Sequence, residues 1–428
     1  MTSKVVQARY VASVVPEFAG NPLIEALVPA LSPIAATARM RRKCNFSESE
    51  RACDAEARLQ MLARLRGLVV PLPGFAQIHE GISSMVRAGY QSRNPLCQSG
   101  RQELYRQIDD GGQYDLAECD DSAGIELGGM QMAVVGLSGM GKTTVVRMAL
   151  SCLGPPIIEH VGVTGGFSGK QITRLLISAP EDGTPRSLAL AFFAEVDRLT
   201  GDTDYSTQYS DRRIPLAALK TAMRQVAATY FIGVLVIDEI QMLSARKSQG
   251  FRRILNFFLT LMNQLQIPIL LVGTPAAEPL FSDRLQDARR VADSGYHYFW
   301  RPESWKDENW TSVVKAFWAI QWVRNPAPLT DEIREVLFDL TAGVTAILRV
   351  LMIAAQKHSI LLGNEVVDAA VLKEVYKSRL SVLHKAVDLI RRPKHKKTYR
   401  DLSLLDDLFN SQEVREIMES EKALQVAS

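Results

Sequence analysis

The sequence predicts an α/β fold: a parallel sheet covered on both faces, followed by a unit made of helices alone. Three observations predict it. An apolar run, Met132 to Val135, breaks into a glycine-rich turn and then into a helical segment. A second apolar run, Gly233-Val-Leu-Val-Ile-Asp-Glu-Ile240, ends in two carboxylates. Strand-like and helix-like segments alternate up to about residue 303, and only helical periodicity follows. Apolar strands flanked by helices are buried on both faces, which favours a parallel over an antiparallel sheet.

The boundaries drawn from these patterns are an N-terminal extension over 1–67, an α/β unit over 68–304, a helical unit over 305–390 and a tail over 391–428. In the extension, Glu17 to Leu27 is an apolar patch around a turn, and Val28 to Pro33 is proline-rich. Arg39-Met-Arg-Arg-Lys43 fits either a solvated helix start or a nucleic-acid or partner contact. Ser47 opens an amphipathic helix to Arg66. Val70 to Gly74 reads as a turn, Ile78 to Tyr90 as a helix stopped by Gly89, and 108–123 as an acidic loop. His79 is solitary, so it reads as a core or surface histidine rather than a ligand or base.

After the glycine turn a helix runs to about Leu153 and breaks at Gly154-Pro-Pro156. Ile172 to Ser178 reads as a strand, Pro185 to Leu199 as an amphipathic helix, 201–213 as a loop and Ile214 to Tyr230 as a helix. A helix over Phe251 to Gln266 precedes a buried strand, Ile267 to Pro275, that ends on polar Thr274. Arg289 and Arg290 close a helix ahead of strand-like Tyr296 to Trp300, and helices are predicted over 308–324, 330–341, 344–362 and 367–390. The tail is polarised: six Lys/Arg in Arg391 to Arg400, then seven acids against two bases in Asp401 to Ser428. Such a tail suits either partner docking or simple solvation.

The net charge of +3 is too small to argue nucleic-acid binding by itself. Five cysteines (44, 53, 97, 119 and 152) form no Cys-x-x-Cys, which fits reduced thiols and a cytoplasmic location. Neither a run of about 18 apolar residues nor a signal-like start is present, so no membrane role is expected.

The chemistry lies at the strand ends. Gly136, Gly141, Lys142 and Thr143 fill the phosphate-loop template G-x-x-x-x-G-K-[ST]. Backbone N–H groups of Gly136, Ser138, Gly139, Met140 and Gly141 would cradle phosphate, with Thr144 in the first turn of a helix whose positive end faces the anion. Lys142 would reach the β/γ-phosphates and the Thr143 hydroxyl would ligate Mg²⁺, so ATP and Mg²⁺ are the expected cofactors. Asp238 would hold the same metal through water, and Glu239 would polarise the attacking water as general base.

Gly136-Leu-Ser-Gly-Met-Gly-Lys-Thr-Thr144, Val234-Leu-Val-Ile-Asp-Glu-Ile-Gln241 and Leu271-Val-Gly-Thr-Pro275 together resemble the AAA+ ATPases, near helicase loaders and transposition regulators. Five further pieces are more specific: Asn21-Pro-Leu-Ile-Glu-Ala-Leu27, Gly89-Tyr-Gln-Ser-Arg-Asn-Pro95, Leu255-Asn-Phe-Phe258, Ala288-Arg-Arg290 and Leu362-Gly-Asn-Glu365. That set is similar to TnsC, the ATP-dependent regulator of Tn-seven-like transposition, with TniB more distant. The likeness runs from about residue 8 to 390.

The resemblance implies a five-stranded parallel sheet with a helical lid and an N-terminal helical extension. It implies a homo-oligomer, ring or helical filament with a hexameric or heptameric turn, assembled on double-stranded DNA without sequence specificity. Its partners would be transposase subunits and a target-selection protein, which could be TnsD-like, TniQ-like or RNA-guided. Hydrolysis would drive disassembly. Thr274 resembles sensor 1, and Arg289 or Arg290 the finger that completes a neighbour's site. One departure stands out: Gly343-Val-Thr-Ala346 carries alanine where many lids carry the sensor 2 arginine, and Arg349 follows one turn later as its candidate replacement. Lys170, Arg174, Thr184 and Arg186 are the DNA-facing candidates. A helicase loader or replication initiator is the alternative within the class, and a nucleotide-switched signalling ATPase without DNA is the alternative outside it. An ABC transporter is disfavoured because no separate Leu-Ser-Gly-Gly-Gln occurs, and a small-molecule kinase by the Asp238-Glu239 pair.

Overall fold

The apolar runs become adjacent buried strands in the computed structural model, which describes residues 5–97, 130–163, 166–244, 267–277 and 295–391. Among these residues the strands are β1 (Val6–Gln7), β2 (Gln131–Gly136), β3 (Ile157–Val163), β4 (Phe167–Ile172), β5 (Leu175–Ser178), β6 (Leu235–Asp238), β7 (Ile269–Gly273) and β8 (Tyr296–Phe299). Five of them form one sheet in the order β5-β6-β7-β2-β8, and β5, β6, β7 and β2 pair in parallel. The expected five-stranded parallel sheet is therefore present. β7 lies between the strand that ends at the glycine loop and the strand that ends in Asp238.

A second, three-stranded sheet in the order β1-β3-β4 was not foreseen. Its strands are partly exposed and interrupted by Gly162, Gly166 and Gly169, so neither a continuous apolar run nor clean alternation marks them. The strand expected over Ile172 to Ser178 is divided accordingly: Ile172 ends β4, and β5 starts at Leu175.

The chain divides into two compact units within the described residues. One takes Met1–Arg39, Pro73–Val135 and Thr143–Tyr298; the other takes Met40–Leu72, Gly136–Lys142 and Phe299 onward. The N-terminal extension drawn over 1–67 is thus split near residue 39, and its second half packs with the helices.

In the sheet unit the helices are α1 (Pro22–Glu25), α2 (Pro33–Met40, ending just across the division), α4 (Pro73–Gln91), α5 (Lys142–Ser151, entered from the glycine loop), α6 (Pro185–Thr200), α7 (Tyr205–Gln208), α8 (Leu216–Thr229) and α9 (Gln241–Ser244). Apolar faces of α6 (Leu188, Phe192, Val196) and α8 (Leu219, Met223) cover Ile177, Leu235, Ile237 and Ile269. Gly89 does not stop α4. It lies inside the helix, and a Cβ there would sit 2.7 Å from Pro268 Cγ, so glycine is required by close approach. Nearby, Asn21 caps α1 by accepting from the Leu23 N–H at 3.1 Å, and its Nδ2 donates to the Tyr90 carbonyl at 2.8 Å. Tyr90 Oη donates to Phe231 O and an Arg93 guanidinium nitrogen to Ile232 O, each at 2.8 Å, so the approach to β6 is clamped.

The helical unit holds α3 (Ala55–Met61) and α10 (Glu308–Trp318), α11 (Asp331–Thr341), α12 (Thr345–Leu362), α13 (Ala369–Arg379) and α14 (Ser381–Arg391). The helix expected over Ser47 to Arg66 is broken into a 3₁₀ turn with a Ser47/Glu50 capping box, then α3 capped by Asp54, then a second 3₁₀ turn over Leu62–Gly67. The segment expected over 308–324 ends at Trp318, and the one over 367–390 breaks at Leu380. α12 is apolar and long enough to cross a membrane, yet Ile347, Leu348, Leu351 and Met352 bury it in the core with Trp310, Phe317 and Trp322. The helix expected over Phe251 to Gln266, the 108–123 loop and the tail beyond Arg391 lie outside the described residues.

Candidate active site

The glycine loop is built by β2, buried along its whole length, running into the turn before α5. Gly139 and Gly141 have φ of +79° and +95°, the left-handed region expected of a phosphate cradle. Gly136 serves differently: a Cβ there would meet Phe299 Cβ at 2.6 Å, so close approach rather than a positive φ selects glycine. The loop is backed by the first turn of α12. Ala346 N–H donates to Gly139 O at 3.0 Å, and a Cβ on Gly139 would lie 3.0 Å from both Ala346 Cβ and Val344 Cγ1. Met140 packs into the same core. Lys142 is buried, with Nζ donating to the Leu137 carbonyl at 3.0 Å. Ser138 and Thr143 are half-buried and Thr144 is exposed.

The carboxylates stand at the C-terminal edge of the sheet, where open α/β sheets bind ligands. Val135 pairs with Gly273 and Ile237 with Leu271, so β2, β6 and β7 end side by side. Asp238 is buried; its carbonyl accepts from Ala179 N–H at 2.8 Å and its Oδ1 from Glu239 N–H at 3.0 Å. Glu239 itself has a φ of +58°, a left-handed conformation that side-chain-bearing residues seldom adopt. Gln241, also buried, donates from Nε2 to Glu239 Oε2 and accepts at Oε1 from the Thr274 N–H at 3.1 Å. Asp238, Glu239 and Thr274 are thereby brought to one edge. Gln241 ends one of the segments that carry the resemblance, but no role is read for it there; its further signal is a polar side chain two residues past the acidic pair.

These groups fit a nucleoside triphosphate with Mg²⁺. The cradle is lined by glycines in the conformation that turns N–H groups inward, and a helix N-terminus and a buried ammonium follow it. The Thr143 hydroxyl and the Asp238 carboxylate are hard oxygen donors, which Mg²⁺ takes together with water and phosphate. Among the described residues no group of three or more His, Cys, Asp or Glu side chains forms an all-protein metal cage.

The DNA-facing candidates are engaged in local structure. Arg174 donates to Leu150 O at 2.9 Å and Gly154 O at 2.8 Å, capping the end of α5, and burial pushes its pKa down to about 10. Lys170 pairs with Asp202 at 2.5 Å. Thr184 caps α6 by accepting from Ser187 N–H at 3.2 Å, and Arg186 donates to Ile214 O at 2.8 Å and to Asp211 O. Arg349 is half-buried on α12; burial lowers its pKa, and the nearby charge of Arg66 lowers it further. Arg289 and Arg290 lie outside the described residues.

Residues 127–281 match the family model described as AAA domain. Solved structures of similar fold include the Walker-type ATPase of Pyrococcus abyssi (15% identity, 62% of this chain and 71% of that one, TM-score 0.37). They also include the ORC1 protein of Aeropyrum pernix in complex with DNA (16%, 72% and 74%, TM-score 0.39). A third is the RuvB Holliday junction branch migration motor of Thermotoga maritima (15%, 68% and 80%, TM-score 0.34). No curated protein matches the chain. With the phosphate loop and the acidic strand end inside the matched stretch, residues 127–281 are an AAA+ ATPase domain.

Proposed function

We propose that this ATPase regulates DNA transposition in the manner of TnsC. It would assemble head to tail on duplex DNA when ATP is bound, join a target-selection protein to the transposase, and disassemble on hydrolysis. One observation supports the reading beyond the ATPase motifs. Asn21–Leu27 and Gly89–Pro95, two of the segments that carry the resemblance, are hydrogen-bonded to each other through Asn21 and Tyr90, and the second also holds the carbonyls ahead of β6. Two segments that carry the resemblance outside the Walker residues are therefore joined to each other in this chain.

In this reading Lys142 and the loop N–H groups bind the triphosphate, and Thr143 and Asp238 hold Mg²⁺. The bound nucleotide and metal supply a phosphoanhydride whose developing charge is partly neutralised. Glu239 takes the proton of the attacking water, Thr274 senses the terminal phosphate, and Arg289 or Arg290 acts on a neighbouring copy's site. Lys170, Arg174, Thr184 and Arg186 are the DNA candidates, with phosphate contacts that position without reading sequence. The test is the ATPase rate with and without random-sequence duplex DNA at two salt concentrations. We expect several-fold stimulation at low salt that fades at high salt, because phosphate contacts are salt-dependent. An unchanged rate at low salt would argue for the signalling-ATPase alternative.

A further inference from the structure

We infer that Gln241 is a positioning residue that ties the hydrolytic acid to the strand that senses nucleotide. The inference rests on the reading of Glu239 as general base and of Thr274 as sensor. Gln241 spends both ends of its amide on these two residues: Nε2 donates to the Glu239 carboxylate, and Oε1 accepts the Thr274 N–H at 3.1 Å. An amide carries a donor and an acceptor on the same carbon without needing to titrate, which suits this bridge.

The surroundings leave the amide little freedom. Gln241 is 6% exposed. A Cβ on Gly273 would lie 2.5 Å from Ile240 Cγ1 and 3.0 Å from Gln241 Oε1, so Ile240 above all requires glycine before Thr274, and the Gln241 amide lies close beside it. Ile240 N–H donates to Val272 O at 3.1 Å, which fixes the start of α9 against β7. Glu239 needs such support. At φ +58° its backbone is in a left-handed conformation that strains a residue with a Cβ, and it persists only where neighbours over-determine it. Three links hold Glu239: Asp238 Oδ1 accepts its N–H at 3.0 Å, its carbonyl accepts the Met242 N–H at 3.0 Å, and Gln241 holds its side chain. A shift of Thr274 would move the Gln241 amide and so re-aim the Glu239 carboxylate. Sensing and proton abstraction are coupled through one side chain.

Gln241→Glu tests this. It keeps an oxygen for the Thr274 N–H but replaces the amide donor facing Glu239 with a carboxyl group that competes with Glu239 for the same proton. Steady-state ATPase, equilibrium binding of a fluorescent ATP analogue and thermal melting are measured on the full chain without DNA, beside Glu239→Gln. We expect Gln241→Glu to lower kcat about 100-fold, the usual size of a misplaced catalytic group. ATP affinity and KM should stay within twofold, with melting near that of the unsubstituted chain. A kcat within twofold of normal, with Glu239→Gln inactive, overturns the coupling and leaves the general-base assignment standing. Full activity of Glu239→Gln overturns that assignment and the coupling together. ATP affinity falling in step with kcat would mark Gln241 as merely structural and also overturn the inference. If Gln241→Glu melts early, Gln241→Met, of similar length and without strong donors or acceptors, carries the same test.

Discussion

Gly139 shows how much of the candidate site is decided by single atoms. The template already asked for small residues between Gly136 and Lys142, but the reason at each position differs. Gly139 needs both a left-handed φ and the absence of a Cβ, because α12 stands 3.0 Å from where that atom would be. Gly139→Ala should therefore weaken ATP binding at least tenfold, read by titration with a fluorescent ATP analogue; unchanged affinity would contradict this role for the loop. The same contact bears on the missing sensor 2 arginine. At Ala346 the first turn of α12 meets the loop through its backbone N–H, at 3.0 Å from Gly139 O. At the residue scale the sequence singled out Lys142, Thr143, Asp238 and Glu239 through motifs of fixed spacing, and Thr274 as the polar end of a buried strand. It did not disclose Gln241 or the capping role of Arg174, since each depends on partners distant along the chain.

Among the elements, the least legible was the stretch between residues 40 and 72. Periodicity suggested one helix, yet what holds this stretch is long-range. Arg58, 1% exposed, donates two hydrogen bonds to Glu365 at 2.6 and 2.7 Å and a third to Trp322 O at 2.9 Å. Trp322 in turn donates from Nε1 to Glu50 at 2.9 Å. These partners lie about 300 residues apart, beyond any local pattern. Hydrogen bonds from Arg58 are the main reason the Glu365 carboxyl is held below its ordinary value. Such a carboxylate contributes stability that is fully present above its unfolded value near 4.5 and is lost as pH falls through the lower folded value. Arg58→Ala should cost about 3 kcal/mol at neutral pH, as for a buried pair losing one partner, and the deficit should shrink in acid. All five tryptophans (300, 305, 310, 318 and 322) lie in the helical unit, so their fluorescence on denaturation measures it directly. A deficit that does not change with pH would contradict the charge-based account. Long periodic elements such as α6, α8 and α12 were legible, because an amphipathic or apolar run of three turns or more has one stable way to be buried. The β1-β3-β4 sheet was not, because its partly exposed strands carry too little pattern.

Over the whole molecule, the two units were legible as a change from alternating strands and helices to helices alone. The return of residues 40–72 to the helical unit was not, since contacts rather than sequence order define it. The central claim is that ATP binding, rather than hydrolysis, assembles this chain on DNA. Glu239→Gln isolates that state, because it keeps Lys142 and the loop but removes the group that activates water. Sedimentation velocity of Glu239→Gln with ATP, Mg²⁺ and random-sequence duplex at low salt is the most direct measurement. The account predicts DNA moving with a complex many times heavier than one 47.5 kDa chain, with no such complex formed by Lys142→Ala. Duplex sedimenting as free DNA in the presence of Glu239→Gln and ATP would contradict it.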